Sequence, residues 1–328
     1  MSTISAKAVS DLRKASGAGM MDCKAALAES GGDVEGAMDY LRKKGQKVAA
    51  KRADRETTEG VVVATVNAAG TQGQLMAISC ETDFVAKNDQ FIELVNRIAK
   101  FAAEHNCATK EDVVKMPFDD ATVGEKLISQ TGIIGEKIEV SDFQTLTGDK
   151  IASYIHAGSK IGVIVSYKDG GNADAPQFFR SVAMHIAAMS PSILTPDEFD
   201  EAFVAKEAEA LRAQIIAENE VNARENLGKP QKTVPMFASK RQLTPAVMQE
   251  AADKIKAELK AEGKPEKIWD KIVPGKLDRF TADNTLLDQE RCLLSQFFAL
   301  DDNKTVEAAM KAFSPNAEII GFKRVAVG

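Results

Sequence analysis

Apolar positions recur at helical spacing through the first 45 residues. In SAKAVSDLRKAS, Val9 and Leu12 fall on one face; MMDCKAALAES follows the breaker Gly-Ala-Gly; GDVEGAMDYLRKKG closes on Gly45, read as a C-cap. This pattern predicts a three-helix module over residues 1–50, too small to bury much by itself and suited to binding. The polar, charged stretch that follows marks a linker at 51–59. The period then switches to that of strands. GVVVATVNAAGTQGQLMAISC (60–80) holds two β-rich runs around a Gly-containing turn, and a helix with Phe91, Val95, Ile98 and Ala102 on one face comes next.

The arrangement repeats. IASYIHAGSKIGVIVSY (151–167) again gives two runs around Gly158, followed by a helix through FFRSVAMHIAAM (178–189). LISQ (127–130) precedes the strand 136–146 and LLSQ (293–296) precedes the strand 318–327, so these are read as matching ends of the two copies. The predicted fold is α+β, with related core subdomains at 60–148 and at 149–194 plus 282–328. Each has a small antiparallel sheet and helices on one face. The second is interrupted at 195–281. There TPDE (195–198) reads as a capped helix start, Val204, Ala208, Leu211 and Ile215 form an apolar stripe, and a further helix spans 243–263. Joined by the polar NLGKPQKTVP (226–235), the two predict an antiparallel helical hairpin, open to use as a packing arm, a dimer element or a partner-binding arm.

Composition narrows the classes. Of 328 residues, 44% are hydrophobic and 27% charged, as in an ordinary globular protein. The longest apolar runs are strand-sized, and charges at Lys7, Asp11, Arg13 and Lys14 break any signal-like start, so a cytoplasmic protein without a membrane contact is expected. Cys23, Cys80, Cys107 and Cys292 are too scattered for a metal or redox pair and read as packing residues. A net charge of −6 weighs against direct nucleic-acid binding. The basic run 42–55 is the local exception and the ground for a rival reading, an RNA- or ribosome-associated protein. Phosphate-loop, dinucleotide, nucleophile-elbow and zinc-protease motifs are missing, and His105, His156 and His185 lie far apart, so no cofactor or metal is expected and an enzyme is unsupported, an unrecognised site being a second rival reading.

Two stretches carry a resemblance. LRKASGAGMMDCKAAL (12–27) and CETDFVAKNDQF (80–91) resemble the signatures of the bacterial elongation factor Ts family, guanine-nucleotide exchange factors for the translational GTPase elongation factor Tu. The likeness runs on through YIHAGSKIGVIV (154–165), AMHIAAMSP (183–191), GKPEKIWDKIVPGKLDRF (263–280), KTVEAAM (304–310) and IIGFKRVAVG (319–328). It implies a ubiquitin-associated-like helical module, two related core subdomains and an inserted hairpin. Departures are a longer hairpin region, Pro274 where an acidic residue is usual, SQFF (295–298) without the customary proline, and an expected lack of the C-terminal helical module of some relatives.

On spacing alone, Phe84 falls on the face of 91, 95, 98 and 102 and could be that helix's first core residue. Asn88 and Asp89, however, look like a fresh helix start, leaving Thr82 to Val85 as an exposed corner. The resemblance decides for the corner. It implies that Thr82, Asp83, Phe84 and Val85 insert into GDP-bound elongation factor Tu near its Mg²⁺/phosphate site and promote GDP release. Arg13, Met20 and Met21 are the next expected contacts, with ordinary packing as the alternative for the methionines and a solvated charge for Arg13. His156, in the turn of the second repeat, is a weaker candidate for another GTPase domain. A homodimer through the long hairpin stays open.

Overall fold

The computed structural model describes residues 4–156, 158–225, 228 and 230–328. By internal contacts the chain divides into two compact units, residues up to Ala187 together with Asn316–Gly328, and Ala188–Pro315. In chain order the first stretch forms α1 (Ala6–Ser16), α2 (Met20–Glu29), α3 (Val34–Lys51), β1 (Glu59–Val66), β2 (Gln72–Cys80), α4 (Asp83–Ala86), α5 (Asp89–Glu104) and α6 (Lys110–Lys115). It continues with β3 (Pro117–Phe118), β4 (Ala121–Thr122), α7 (Val123–Ile134), β5 (Glu139–Thr147), β6 (Lys150–Ile155), β7 (Ile161–Lys168) and α8 (Ala175–Met189). Then come α9 (Glu201–Arg224), α10 (Pro245–Ala261), α11 (Trp269–Asp283), α12 (Leu286–Arg291), β8 (Phe297–Phe298), β9 (Asp301–Thr305), α13 (Val306–Phe313) and β10 (Glu318–Ala326).

Three helices open the chain as the spacing predicts. Ser5 caps α1 by accepting from the Ala8 amide, Gly17 ends it at φ 71°, and Asp33 caps α3 by accepting from Gly36. Val9, Leu12, Cys23, Ala26, Leu27 and Ala37 make the small core. Gly45 is not the C-cap that the sequence indicated. It sits buried inside α3, which runs on to Lys51. The reason lies in a neighbour, since a Cβ placed on Gly132 of α7 would stand 2.4 Å from the Gly45 Cα. Two helices cross at van der Waals distance there, and at position 132 only glycine leaves the room.

Two antiparallel sheets share one order, β1-β2-β5 and β6-β7-β10, each a hairpin with the last strand added beside its second member. Strand period explains why β2 is buried almost throughout. Its residues Met76, Ile78 and Cys80 face the core of α5 with Phe91, Val95 and Ile98, while Leu75 and Ala77 face Ile151, Ile164 and Val325 of the other sheet. On the second sheet, Tyr167 stacks on Phe179 of α8 at 3.9 Å between ring centroids. The layers of this unit therefore run helix, sheet, sheet, helix.

The matched ends of the repeat need correction. LISQ lies inside α7, whereas LLSQ forms a tight turn ahead of β8. What repeats is a two-stranded hairpin, a threonine-capped helix and a closing strand: β3–β4, α7, β5 and then β8–β9, α13, β10. Thr122 accepts from Glu125 N and Thr305 from Ala308 N. The cap sets where each helix starts, while a short Leu-x-Ser-Gln string suits a helix or a turn equally.

In the second unit the TPDE capping box exists, with Glu198 accepting from the Leu194 and Thr195 amides, but it opens only a single turn. Phe199 is extended and buried, and the long helix starts afresh at Glu201 under an Asp200 cap. An antiparallel helical hairpin is present, yet its arms are α10 and α11 rather than α9 and α10. Lys276 meets Glu258 at 3.7 Å and Glu262 at 4.0 Å, and Ala251, Ile255 and Phe280 line the groove between the arms. Helix α9 packs Val204 and Ala208 with Phe199, Ala238, Leu287 and Cys292. The third helix, not read from the sequence, contains Pro274. Standing sixth in α11, it removes one amide donor and the helix continues past it. The polar connection expected at 226–235 lies partly outside the described residues.

Candidate functional site

The corner after β2 is built from buried and exposed residues in alternation. Cys80 is buried and its thiol donates to the Thr82 carbonyl at 3.3 Å. Burial first, then the carboxylates of Glu136 and Glu59, push that thiol up to about 12, so it stays a protonated donor at neutral pH. Thr82 is extended and stands at the N-terminal boundary of the single turn of α4, with no side-chain bond to it. Within that turn Val85 packs against the α5 core and Ala86 is buried, while Phe84 is 83% exposed. No other large apolar side chain among the described residues is as open to solvent. Asn88 then starts α5 anew, its Oδ1 accepting from the Gln90 and Phe91 amides, and Phe91 enters the core. The fresh helix start read from sequence is present, and Phe84 is not a core residue.

Two glutamates hold this corner. The Glu136 carboxylate, in the loop after α7, accepts from Glu81 N (3.2 Å), Thr82 N (3.0 Å) and the Thr82 hydroxyl (2.6 Å). Glu81 returns the contact by accepting from Lys137 N at 2.6 Å, and it takes Arg52 of the helical module through Nη1 at 2.7 and 2.9 Å. Burial alone would raise the Glu81 carboxyl, but the Lys137 amide and the Arg52 guanidinium outweigh it and hold it below the usual range. A folded value below the ordinary 4.5 means that this contribution to stability is complete above about that pH and disappears as pH falls through the lowered value. Urea unfolding followed by circular dichroism should show Glu81→Gln less stable than wild type at pH 7, with the difference shrinking as pH falls below the ordinary 4.5. Equal stability at neutral pH would show the pairing to be energetically silent.

Asp83 is partly exposed and receives Lys87 Nζ at 2.7 Å one turn on. The Lys87 hydrogen bond is the first cause of an Asp83 carboxyl below its usual range, so the side chain is ionised at neutral pH.

The other expected residues are distributed. His156 is exposed in the β6–β7 turn, with its Nδ1 at 3.2 Å from the Tyr154 hydroxyl. This turn meets the first sheet, since Ser159 O accepts from Val62 N and Lys160 pairs at 2.7 Å with Glu59, the cross-strand partner of Cys80. The corner and the His156 turn therefore share one edge of the unit. Arg13 is exposed, and Met20 and Met21 are 59% and 73% exposed at the start of α2, so packing does not account for the methionines. In the basic run, Arg42, Lys44 and Arg52 pair with Asp39, Asp22 and Glu81. No group of His, Cys, Asp and Glu among the described residues is arranged to hold a metal, and none of their helices is long and apolar enough to cross a membrane. Sequence reasoning missed Glu81, Glu136, Lys137 and Arg52. Separations of 29 and 55 residues leave no periodic signal, and only the fold brings them together.

A family model described as Elongation factor TS matches residues 81–328. The protein named Elongation factor Ts of Rhodopirellula baltica is 68% identical over 327 residues, covering the whole of both chains. Its namesake in Flavobacterium johnsoniae is 48% identical, again over the whole of both, and that of Streptococcus sanguinis is 45% identical over all of this chain and 93% of the relative. The class is that of the translation elongation factors. Within it, the chain belongs to the elongation factor Ts family.

Proposed function

We propose that this chain is a guanine-nucleotide exchange factor for elongation factor Tu, acting on its GDP-bound form by inserting the Thr82–Val85 corner beside the Mg²⁺/phosphate site. Family membership supports the exchange role. The observation that carries the mechanism is an exposed phenylalanine on a corner whose entry is tied to the loop after α7, through the Thr82 amide and the Glu81 carboxylate. A rigid ring with no partner of its own can displace a partner's side chains, and burying it is worth about 1.5–3 kcal/mol. Asp83, ionised and free to trade Lys87 for new donors, competes for polar groups that support the metal's water shell. With Mg²⁺ displaced, phosphate charge loses its compensation and GDP leaves. Arg13, Met20, Met21 and His156 supply docking area. The chain itself makes and breaks no covalent bond. It also cannot shift the overall nucleotide equilibrium, because whatever factor it takes from nucleotide affinity, nucleotide takes from its own.

Stopped-flow release of a fluorescent GDP from the cognate GTPase tests this. Acceleration that rises with chain concentration and saturates is expected, and Asp83→Ala should lower the plateau. A release rate indifferent to the chain would sink the reading.

A further inference from the structure

We propose that Glu136 is a positioning residue for exchange: its carboxylate fixes the corner so that Phe84 is presented ready to insert. The inference rests on the exchange reading above. Helix α4 is one turn of four residues, too short to sustain itself. Its entry is held from outside, by three donors of residues 81 and 82 on one carboxylate, and by the Lys137 amide returning a fourth bond to Glu81. Residues 81–82 and 136–137 thus form a reciprocal clamp between the end of β2 and the loop leaving α7. That loop begins at Gly135, whose φ of 82° turns the chain so that Glu136 points back to the corner. The Thr82 hydroxyl is spent on this clamp and not on its own helix, since it makes no cap bond to α4. A threonine that forgoes local capping to meet a residue 54 positions away fixes direction more than helix stability.

A wedge that must be ordered during insertion loses rate at that step, while docking elsewhere on the surface is untouched. The test compares Glu136→Ala, Glu136→Gln and Phe84→Ala with wild type. It reads the maximal rate of fluorescent-GDP release, the chain concentration giving half of it, and the thermal midpoint. Glu136→Ala should reduce the maximal rate about tenfold with the half-saturating concentration within about twofold of wild type. Glu136→Gln should restore it, because an amide oxygen can take both backbone N–H groups while its NH₂ donates to the Thr82 hydroxyl. Should Glu136→Ala fail to fold, Thr82→Val removes one bond of the clamp and should give a smaller loss, about threefold, in the same parameter. A wild-type maximal rate in Glu136→Ala beside a slowed Phe84→Ala overturns the clamp and leaves the wedge standing. Equal losses in the alanine and glutamine variants also overturn it, by making charge and not hydrogen bonding the cause. A Phe84→Ala protein as fast as wild type marks failure of the wedge itself.

Discussion

Phe84→Ala is expected to slow GDP release from elongation factor Tu by about ten- to a hundredfold while leaving the thermal midpoint of the protein unchanged. The two halves have different sources. Stability should not move because the ring is 83% exposed and contributes little to the folded core, whose nearest members are Val85 and Ala86. Release should slow because about 1.5–3 kcal/mol of ring burial becomes available only on insertion, and each tenfold in rate corresponds to about 1.4 kcal/mol. Phe84→Leu, retaining apolar bulk without the flat ring, should fall between alanine and wild type. Stopped-flow release with a parallel melting curve checks both halves; a lowered melting point with unaltered release would return Phe84 to a structural role.

Gly132→Ala is expected to disrupt the docking of the helical module, whereas Gly45→Ala at the same crossing should be close to neutral. A methyl on Gly132 would lie 2.4 Å from the Gly45 Cα and 3.3 Å from its nitrogen, so the obstruction is backbone that cannot rotate away. Overpacking of this kind costs about 1–3 kcal/mol, more where the backbone must move. A methyl on Gly45 instead meets Ile128 O at 3.4 Å and the Gly132 Cα at 3.7 Å, near ordinary contact, and gains about 0.5–1 kcal/mol of helix propensity. Displacement of α3 also pulls Arg52 from Glu81, so the corner should loosen with the module. Limited proteolysis around residues 51–59 and thermal melting would read the asymmetry. Equal effects of the two substitutions would show that the crossing is not set by this close approach.

The strand and helix periods alone were enough for the three-helix module, for the two hairpins of the repeat and for the α5 face carrying Phe91, Val95 and Ile98, because each depends on neighbours within a few residues. Caps at Thr122 and Asp33 are of the same local kind. Where the reading failed, a distant contact had overruled a local preference. Gly45 looks like a terminator until Gly132 is seen across from it, and LLSQ looks like LISQ until one is found in a turn and the other in a helix. No helix is read at 269–283, where α11 contains Pro274 and forgoes a single donor near its start.

The candidate site divides in the same way. Asn88 and Asp89 mark a helix start, so the sequence itself offered a corner before α5, while the spacing left Phe84 open to the core face and the family resemblance decided for the corner. Only tertiary structure decided that the corner is rigid, since its stiffness comes from Glu136, Lys137 and Arg52, which reach it from two other elements. Local propensity acts over one or two turns of chain; the orientation of an exposed ring is set by hydrogen bonds that close loops of 29 to 56 residues, and no pattern of hydrophobic and polar positions records which groups will meet.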